Sequence, residues 1–385
     1  MPLDTATRDT LLSALRRFVD ERLIPAEVEV AKSDDIPPLI ISDMRDLGLF
    51  GLSVPDEFGG IGLSMEDEVR VMFELGRASP AFRSLIATNV GIGSQGIVID
   101  GTPDQKARFL PMIASGEVIG SFALTEPEVG SDAGSVRTAA RRSGDHYVLN
   151  GTKRYITNAP KAGLFTVMAR TDLDKPGGSG VSAFIVEAGS PGLSIGKPER
   201  KMGQQGTQVA DVIFEDCLVP AQNLIGGIEG QGFKTAMKVL DKGRLGIAAA
   251  CTGFADRILG ESVDYANGRI QFGKPIGDYQ LIQATIADSR TEIFAARAMV
   301  LEAARAKDAG EDVGTLASAC KLFASEMVGR VADRNVQIHG GAGYVSDYPA
   351  ERHYRDVRLY RIYEGTSEIQ RLKIGRDTLR DGKER

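Results

Sequence analysis

HYVLNG (His146 to Gly151), LFTVMA (Leu164 to Ala169), VSAFIVE (Val181 to Glu187) and QVADVIFED (Gln208 to Asp216) are short runs rich in β-branched and aromatic residues, punctuated by Gly, Pro, Asn and Asp. They lie too close together for crossover helices, so their sheet is expected to be largely antiparallel. On both sides of them the texture turns helical. Upstream, Leu11, Leu12, Leu15, Phe18, Val19 and Leu23 share one helical face, which Pro25 is expected to end. Pro38 to Leu47 reads as a second helix closed by Gly48, Ser64-x-x-Asp67 as an N-cap ahead of Val69, Met72, Phe73 and Leu75, and Pro103-Asp104 as the start of a helix carrying Phe109, Leu110 and Ile113. Downstream of Gly232, Ala-rich amphipathic segments span residues 233–266, 279–309, 313–338 and 367–380. The expected order is a helical domain over 1–120, a β domain over 121–232 and a helical bundle over 233–385, an α+β chain that is mostly α.

Composition narrows the function classes. The 385 residues carry 46 basic and 52 acidic side chains, a net charge of −6, with 42% hydrophobic residues, which excludes disorder as the main state. The uncharged stretch from Ser84 to Ile99 contains Thr88, Asn89, Ser94 and Gln95, whereas a membrane-spanning helix needs about 20 mainly apolar residues. Cys217, Cys251 and Cys320 are odd in number and far apart, so neither a disulfide framework nor a metal site is expected. They read as core residues in a reducing compartment. The charged segment from Asp4 to Leu23 lacks the marks of a secretion or transit signal, and a cytoplasmic location is expected. The basic residues of 352–385 are interspersed with acids and read as a solvated or subunit-facing surface, not as a nucleic-acid site.

Common phosphate, zinc and dinucleotide signatures are missing. Gly192-Leu193-Ser194-Ile195-Gly196 matches a nucleophile elbow, but Lys197-Pro198 follows where a helix is needed, so it reads as a chance turn. Two segments say more. In FALTEPEVGSDAG (Phe122 to Gly134) the hydroxyls of Thr125 and Ser131 alternate with Gly130 and Gly134, which suits a pyrophosphate or an electron-rich ring and equally suits a turn-rich linker. In RIYEGTSEIQ (Arg361 to Gln370), Ser367 and Gln370 read as a capping box, which puts Glu364 just before a helix. There it is either an acid complementing the helix dipole or, beside an apolar ligand, a carboxylate of raised pKa able to act as a general base.

Together with KRYITNA (Lys153 to Ala159), LDKGR (Leu240 to Arg244), RIQFGKPIGDYQ (Arg269 to Gln280) and QIHGGAGY (Gln337 to Tyr344), those two segments resemble, in order and spacing over essentially the whole chain, the acyl-CoA dehydrogenase family, in its short-, branched- or medium-chain branches. The resemblance implies an N-terminal helical domain, a central β-barrel-like domain and a C-terminal four-helix bundle, assembled as a homodimer or homotetramer. It implies an FAD-dependent enzyme of fatty-acid or branched-chain acyl metabolism, as in β-oxidation, that desaturates an acyl-CoA between Cα and Cβ and passes electrons to electron-transferring flavoprotein.

By motif position, the resemblance makes Glu364 the base, with its own backbone N–H on the thioester oxygen. Thr125 and Thr157 become hydroxyl contacts of the isoalloxazine ring and Tyr155 its cover, with Phe122, Leu124, Gly130 and Ile156 around it. Ser131 becomes a contact of pyrophosphate and substrate. Arg269, Gln271, Phe272, Gln280, Gln337, Ile338, Gly340 and Gly341 would hold the adenosine-diphosphate half from a neighbouring subunit, and Thr366 and Glu368 would complete the FAD site. Asp241, Arg244 and Gly365 fall on the substrate side. The chain departs from the usual pattern at Tyr155, which stands for Trp, at Glu128-Val129, for Gly-Ala, and at Glu368, for Gln; Gly243 occupies the place where some branches carry the base, which leaves Glu364 as the motif-supported one. The other readings are a flavin oxidase or monooxygenase of the same fold, a nucleic-acid-associated flavoprotein and a silent CoA-ester binder, none of which fits both the YEGTS glutamate and the acidic net charge.

Overall fold

The computed structural model describes residues 2–383; Met1, Glu384 and Arg385, the outermost residues of the first and third expected domains, lie outside the described residues. Helix α1 (Thr5–Phe18) begins at Asp4, whose carboxylate accepts the Thr7 N–H at 3.0 Å. Pro25 does not stop it, contrary to expectation. A π turn over Val19–Leu23 lets the Ile24 N–H reach back to the Val19 carbonyl, and α2 (Ile24–Ser33) continues with Pro25 in its first turn, where a missing N–H costs nothing. Helix α3 (Pro38–Asp46) ends before Gly48 at φ 68°, and α4 (Met65–Leu75) is capped by Ser64 as its spacing predicts. After α5 (Pro80–Ala87) and α6 (Gln95–Asp100), α7 (Pro103–Ala114) opens on a Thr102/Gln105 capping box.

Strands β1 (Gly120–Ala123), β2 (Ala139–Ser143), β3 (His146–Thr157), β4 (Leu164–Arg170), β5 (Val181–Glu187), β6 (Leu193–Ile195) and β7 (Val209–Pro220) form one open seven-stranded sheet, ordered β1-β4-β2-β3-β7-β6 with β5 on the other edge of β4. Four of its pairings are antiparallel, as expected. The other two, β1 with β4 and a single-residue contact of β2 with β4, are parallel, because the β2–β3 excursion between β1 and β4 does the work of a crossover. Ser194 sits on the short edge strand β6, with no helix behind it.

A 37-residue helix, α8 (Gly232–Gly268), leads into a hairpin of β8 (Ile270–Gln271) and β9 (Lys274–Pro275) and then α9 (Gln280–Asp308), α10 (Gly314–His339), α11 (Gly341–Tyr344), α12 (Ala350–Val357) and α13 (Ser367–Asp381). Helices α8, α9 and α10 pack on one another and α13 lies along α10, which gives the four-helix bundle. One core joins both helical stretches: Leu15, Phe50 and Phe82 share it with Ile247, Phe254, Met327 and Tyr360. Gly253 shows how tightly: a Cβ there would sit 2.0 Å from the Phe73 carbonyl oxygen, so α4 crosses α8 backbone against backbone. A second core lies within the sheet, and a third joins Ile97, Leu110 and Ile185 to Ala236 and Val239 at the start of α8. All three cysteines are buried and free. Among the described residues no helix is long and apolar enough to cross a membrane, and no cluster of His, Cys, Asp and Glu has the makings of a metal site.

Candidate active site

Where sheet, α5, α8 and the turn before α13 meet, they enclose a cleft of about 430 Å³. Glu364 hangs over it from a backbone that is costly to hold. Its φ is 52° and that of Gly365 is 89°, two successive left-handed residues of which the first is not glycine. Buried side chains clamp them: Gln370 Nε2 donates to the Glu364 and Gly365 carbonyls at 3.0 and 3.1 Å, and Lys321 Nζ donates to the Gly365 carbonyl at 2.7 Å. The expected capping box is therefore corrected. The N-cap is Thr366, whose hydroxyl accepts the Ile369 N–H at 3.3 Å; Ser367 instead donates to Glu326 at 2.6 Å, and Gln370 reaches back to the carbonyls of the turn.

The Glu364 Oε2 is closed off from solvent and has no hydrogen-bond partner. Loss of water pushes its pKa up, and Arg83, Lys321 and Arg244 pull it part of the way back. Across the carboxylate lies Gly243 of α8, where any Cβ would come within 2.4 Å of Oε2. Lys321 is itself fully buried, and burial lowers its pKa to about 8. Replacing Lys321 by Met removes a cation that favours ionised Glu364, so the acid limb of the pH–rate profile is expected to move to higher pH; an unmoved limb in steady-state kinetics would reduce Lys321 to a tether for the Gly365 carbonyl.

The opposite wall is the FALTEPEVGSDAG segment and the end of β3. Buried Glu126 pins that segment, accepting from the N–H groups of Arg137 and Thr138 at 2.7 and 2.8 Å, from the Thr138 hydroxyl at 2.5 Å and from Lys153 Nζ at 2.7 Å. Lys153, also buried, donates in addition to the Leu124 carbonyl at 3.1 Å. A bulge between Lys153 and Ile156 then puts Tyr155 at φ 59°, where it lines the cleft while staying 60% exposed, with the Arg154 guanidinium 5.4 Å from its ring centroid. Hydroxyls of Thr125, Ser131 and Thr157 line the cleft beside apolar Phe122, Leu124 and Ile156. A ring system with polar edges and an apolar face fits this set of groups, as FAD requires.

Of the residues singled out in the sequence, Phe122, Leu124, Thr125, Gly130, Ser131, Tyr155, Ile156, Thr157, Arg244, Glu364 and Gly365 come together around the cleft. Asp241 lies behind Arg244 and pairs with it at 2.5 Å. Thr366 is taken up by capping, and Glu368 faces outward, 3.5 Å from Arg371. Arg269, Gln271, Phe272 and Gln280 sit on the β8–β9 hairpin and the start of α9, and Gln337, Ile338, Gly340 and Gly341 at the α10–α11 junction, all outside the cleft of this chain. Phe272 is 94% exposed, with Ile270 and Leu281 exposed beside it. The sequence reading missed Arg83 and Met237 in the cleft wall and the buried Lys321 beneath it, and gave no role to Tyr363 and Leu240, which lie within its motifs. Arg83 did leave a signal: it is the charge that immediately precedes the uncharged stretch from Ser84 to Ile99.

Comparison with known proteins places three family models end to end on the chain: acyl-CoA dehydrogenase N-terminal domain over residues 5–117, middle domain over 121–217 and C-terminal domain over 230–379. Acryloyl-CoA reductase (NADH) of Anaerotignum propionicum is 44% identical to this chain, over 98% of it and 95% of the relative. A chain in a solved structure of the electron transferring flavoprotein of Acidaminococcus fermentans, concerned with flavin-based electron bifurcation, superposes with a TM-score of 0.95 at 39% identity, covering 99% of this chain and 100% of that one. Acyl-CoA dehydrogenase complexed with FAD from Bacillus anthracis gives a TM-score of 0.92 at 34% identity, covering 99% of this chain and 68% of that one.

Proposed function

The chain belongs to the acyl-CoA dehydrogenase family, an FAD-dependent family of oxidoreductases, and on that footing we propose that it converts an acyl-CoA thioester to the trans-2-enoyl-CoA with Glu364 as the base. The observation that carries this reading is the enclosed, unpartnered Oε2 of Glu364, a residue that lines the cleft and whose pKa is raised by lost water. A thioester acidifies its α-hydrogen, and a desolvated carboxylate held above the usual range is matched to removing it near neutrality. The Cα–H bond gives its proton to Oε2, its electron pair becomes the new π bond, and the β-hydrogen departs with its own pair. Bound FAD supplies the two-electron acceptor for that hydride. The clamp on residues 364 and 365 keeps the carboxylate from swinging to solvent, and the backbone N–H of Glu364 is placed by this reading on the thioester oxygen, where enolate charge grows.

The exposed Phe272, Ile270 and Leu281 support assembly with a second copy, whose α10–α11 junction and β8–β9 hairpin would complete the adenosine half of the cofactor site. Electron-transferring flavoprotein is the proposed electron partner, in keeping with the Acidaminococcus structure. A nucleic-acid role finds no support, since Arg352, Arg355, Arg361 and Lys373 are each ion-paired within the chain. The similarity to an acryloyl-CoA reductase favours a second reading, the same site run backwards, with protonated Glu364 returning the proton to Cα.

Anaerobic mixing of the holoenzyme with acyl-CoAs of graded length and branching tests the proposal. The flavin's visible absorbance is expected to bleach and the product to be the enoyl-CoA, with activity on a one-electron acceptor. A holoenzyme that no acyl-CoA bleaches would refute it, and stoichiometric peroxide at a comparable rate would make it an oxidase.

A further inference from the structure

Arg170, the last residue of β4, is half-buried and spends its guanidinium on main chain. Its Nε donates to the Val136 carbonyl at 2.9 Å, its Nη1 to the Lys175 carbonyl at 3.0 Å, and its Nη2 to the Gly134 and Gly177 carbonyls, both at 2.9 Å. Two of these acceptors belong to the FALTEPEVGSDAG segment and its continuation towards β2, and two to the loop 172–180, so one side chain ties two loops together. The acceptors are all carbonyls and none is a carboxylate, so the contact holds backbone in place and balances no charge. A rigid fork of N–H groups can do this, whereas a lysine carries its donors on a single nitrogen and cannot span the same set.

The tied loops frame the open end of the cleft. It is closed at Arg83 and Ser84, both buried, and open at Ser131 and Asp132, both exposed, with Gly134 and Phe233 also in its lining. The loop 172–180 stands directly behind Gly134 and Phe233. A Cβ on Gly134 would lie 3.4 Å from the Gly178 N, and one on Gly178 would lie 2.3 Å from the Phe233 ring, so the backbone at Gly178 is wedged between them at a distance that glycine permits. The neck of the loop is closed by the N–H groups of Thr171 and Asp172, which donate to the Gly180 carbonyl at 3.0 and 3.3 Å, and its tip is the part that Arg170 holds. A CoA ester is much longer than the cleft, so its CoA portion must leave through this open end.

We propose that Arg170 is a positioning residue for the CoA half of the substrate: by holding the loop 172–180 against Gly134 and Phe233, it keeps the mouth of the cleft in the shape that receives CoA. The proposal rests on the reading of the cleft as an acyl-CoA site and adds what fixes its entrance. A mouth ordered in advance spares each binding event the cost of ordering two loops, so the benefit falls on affinity. The chemical step is remote from it, since Phe233 and Gly243, which faces Glu364, are separated by about 15 Å of helix α8.

The test compares two thioesters of one acyl group on the holoenzyme: the CoA ester, and the ester of N-acetylcysteamine, which keeps the reacting end and drops the rest of CoA. Arg170→Met is expected to raise KM for the CoA ester about 10-fold or more, to keep kcat within about twofold, and to leave KM for the short ester unchanged. Arg170→Lys keeps the charge but loses the span, and is expected to follow Arg170→Met. Gly178→Ala puts a methyl group against the Phe233 ring with Arg170 in place; it is expected to show the same split, and decides alone if Arg170→Met does not fold. An unchanged KM in either folded variant would overturn the inference, as would a KM rise shared by the short ester or a loss confined to kcat. So would a parent-like Arg170→Lys enzyme, since charge alone would then account for Arg170. Titration calorimetry with a CoA thioether, which lacks the thioester carbonyl and does not react, reads the same effect as binding. If no acyl-CoA reduces the flavin, the dehydrogenase reading falls, while the thioether affinities of parent and variants still decide the role of Arg170.

Discussion

Glu364→Gln is expected to retain FAD and bind acyl-CoA but to lose a factor of about 10²–10⁴ in the rate of flavin reduction, because the amide keeps shape and hydrogen bonding and removes only basicity. Stopped-flow spectroscopy of the anaerobic variant reads this directly, and bleaching at the parent rate would remove Glu364 from the chemistry. The structure adds a rescue. Since a Cβ at position 243 would touch Oε2, a carboxylate from there would enter the same space once Glu364 is gone. Gly243→Glu combined with Glu364→Gly is therefore expected to recover a fraction of the rate, whereas Gly243→Glu alone is expected to clash and place two acids together.

Lys153→Met is expected to cost about 3–5 kcal/mol of stability, the usual result of leaving one member of a buried ion pair behind. Lys153 is fully buried and Glu126 nearly so, and Lys153 also holds the Leu124 carbonyl. Because Glu126 fixes the loop that carries Thr125 and Ser131, FAD should be lost before the chain unfolds, which parallel measurements of flavin fluorescence and circular dichroism in urea can separate. Coincident transitions at the parent midpoint would contradict this account of the loop. Ion pairs on the surface, such as Arg108 with Glu187, are expected to cost at most about 1 kcal/mol when broken.

How much of this was legible in the sequence follows the range of the forces involved. Helices were readable where period and cap agree locally, as at Ser64 and Gly48, and strands where short β-rich runs are bounded by turns. Pro25 misled because a proline is read as a stop unless the register has already slipped, and the π turn that slips it leaves no mark in composition. The parallel β1–β4 pairing depends on what lies between the strands, and the short helix α12 is mostly polar, its buried positions being Ala350, His353, Asp356 and Val357; both escaped. At the site, the motif carrying Glu364 was readable, yet the residues that make it a plausible base were not. Arg83 and Lys321 reach it across 281 and 43 positions of chain, and nothing in local spacing joins them. Glu126 and Lys153 each lie inside a recognised motif, but their pairing through the sheet is a tertiary fact. The one-residue error at the cap, Ser367 for Thr366, has a local cause: both are hydroxyl residues, and only the backbone angles of Thr366, φ −61° and ψ 164°, single it out.

The central claim is that Glu364 takes the α-proton, and proton exchange isolates that step from electron transfer. Holoenzyme incubated in deuterium oxide with an acyl-CoA whose β-position carries no hydrogen can remove and return the α-proton without going further. Mass spectrometry of the recovered thioester is expected to show deuterium at Cα with the parent, and with Glu364→Gln no more than the enzyme-free control. Equal deuterium uptake by parent and variant would contradict the account, because another group would then be doing what is assigned here to Glu364.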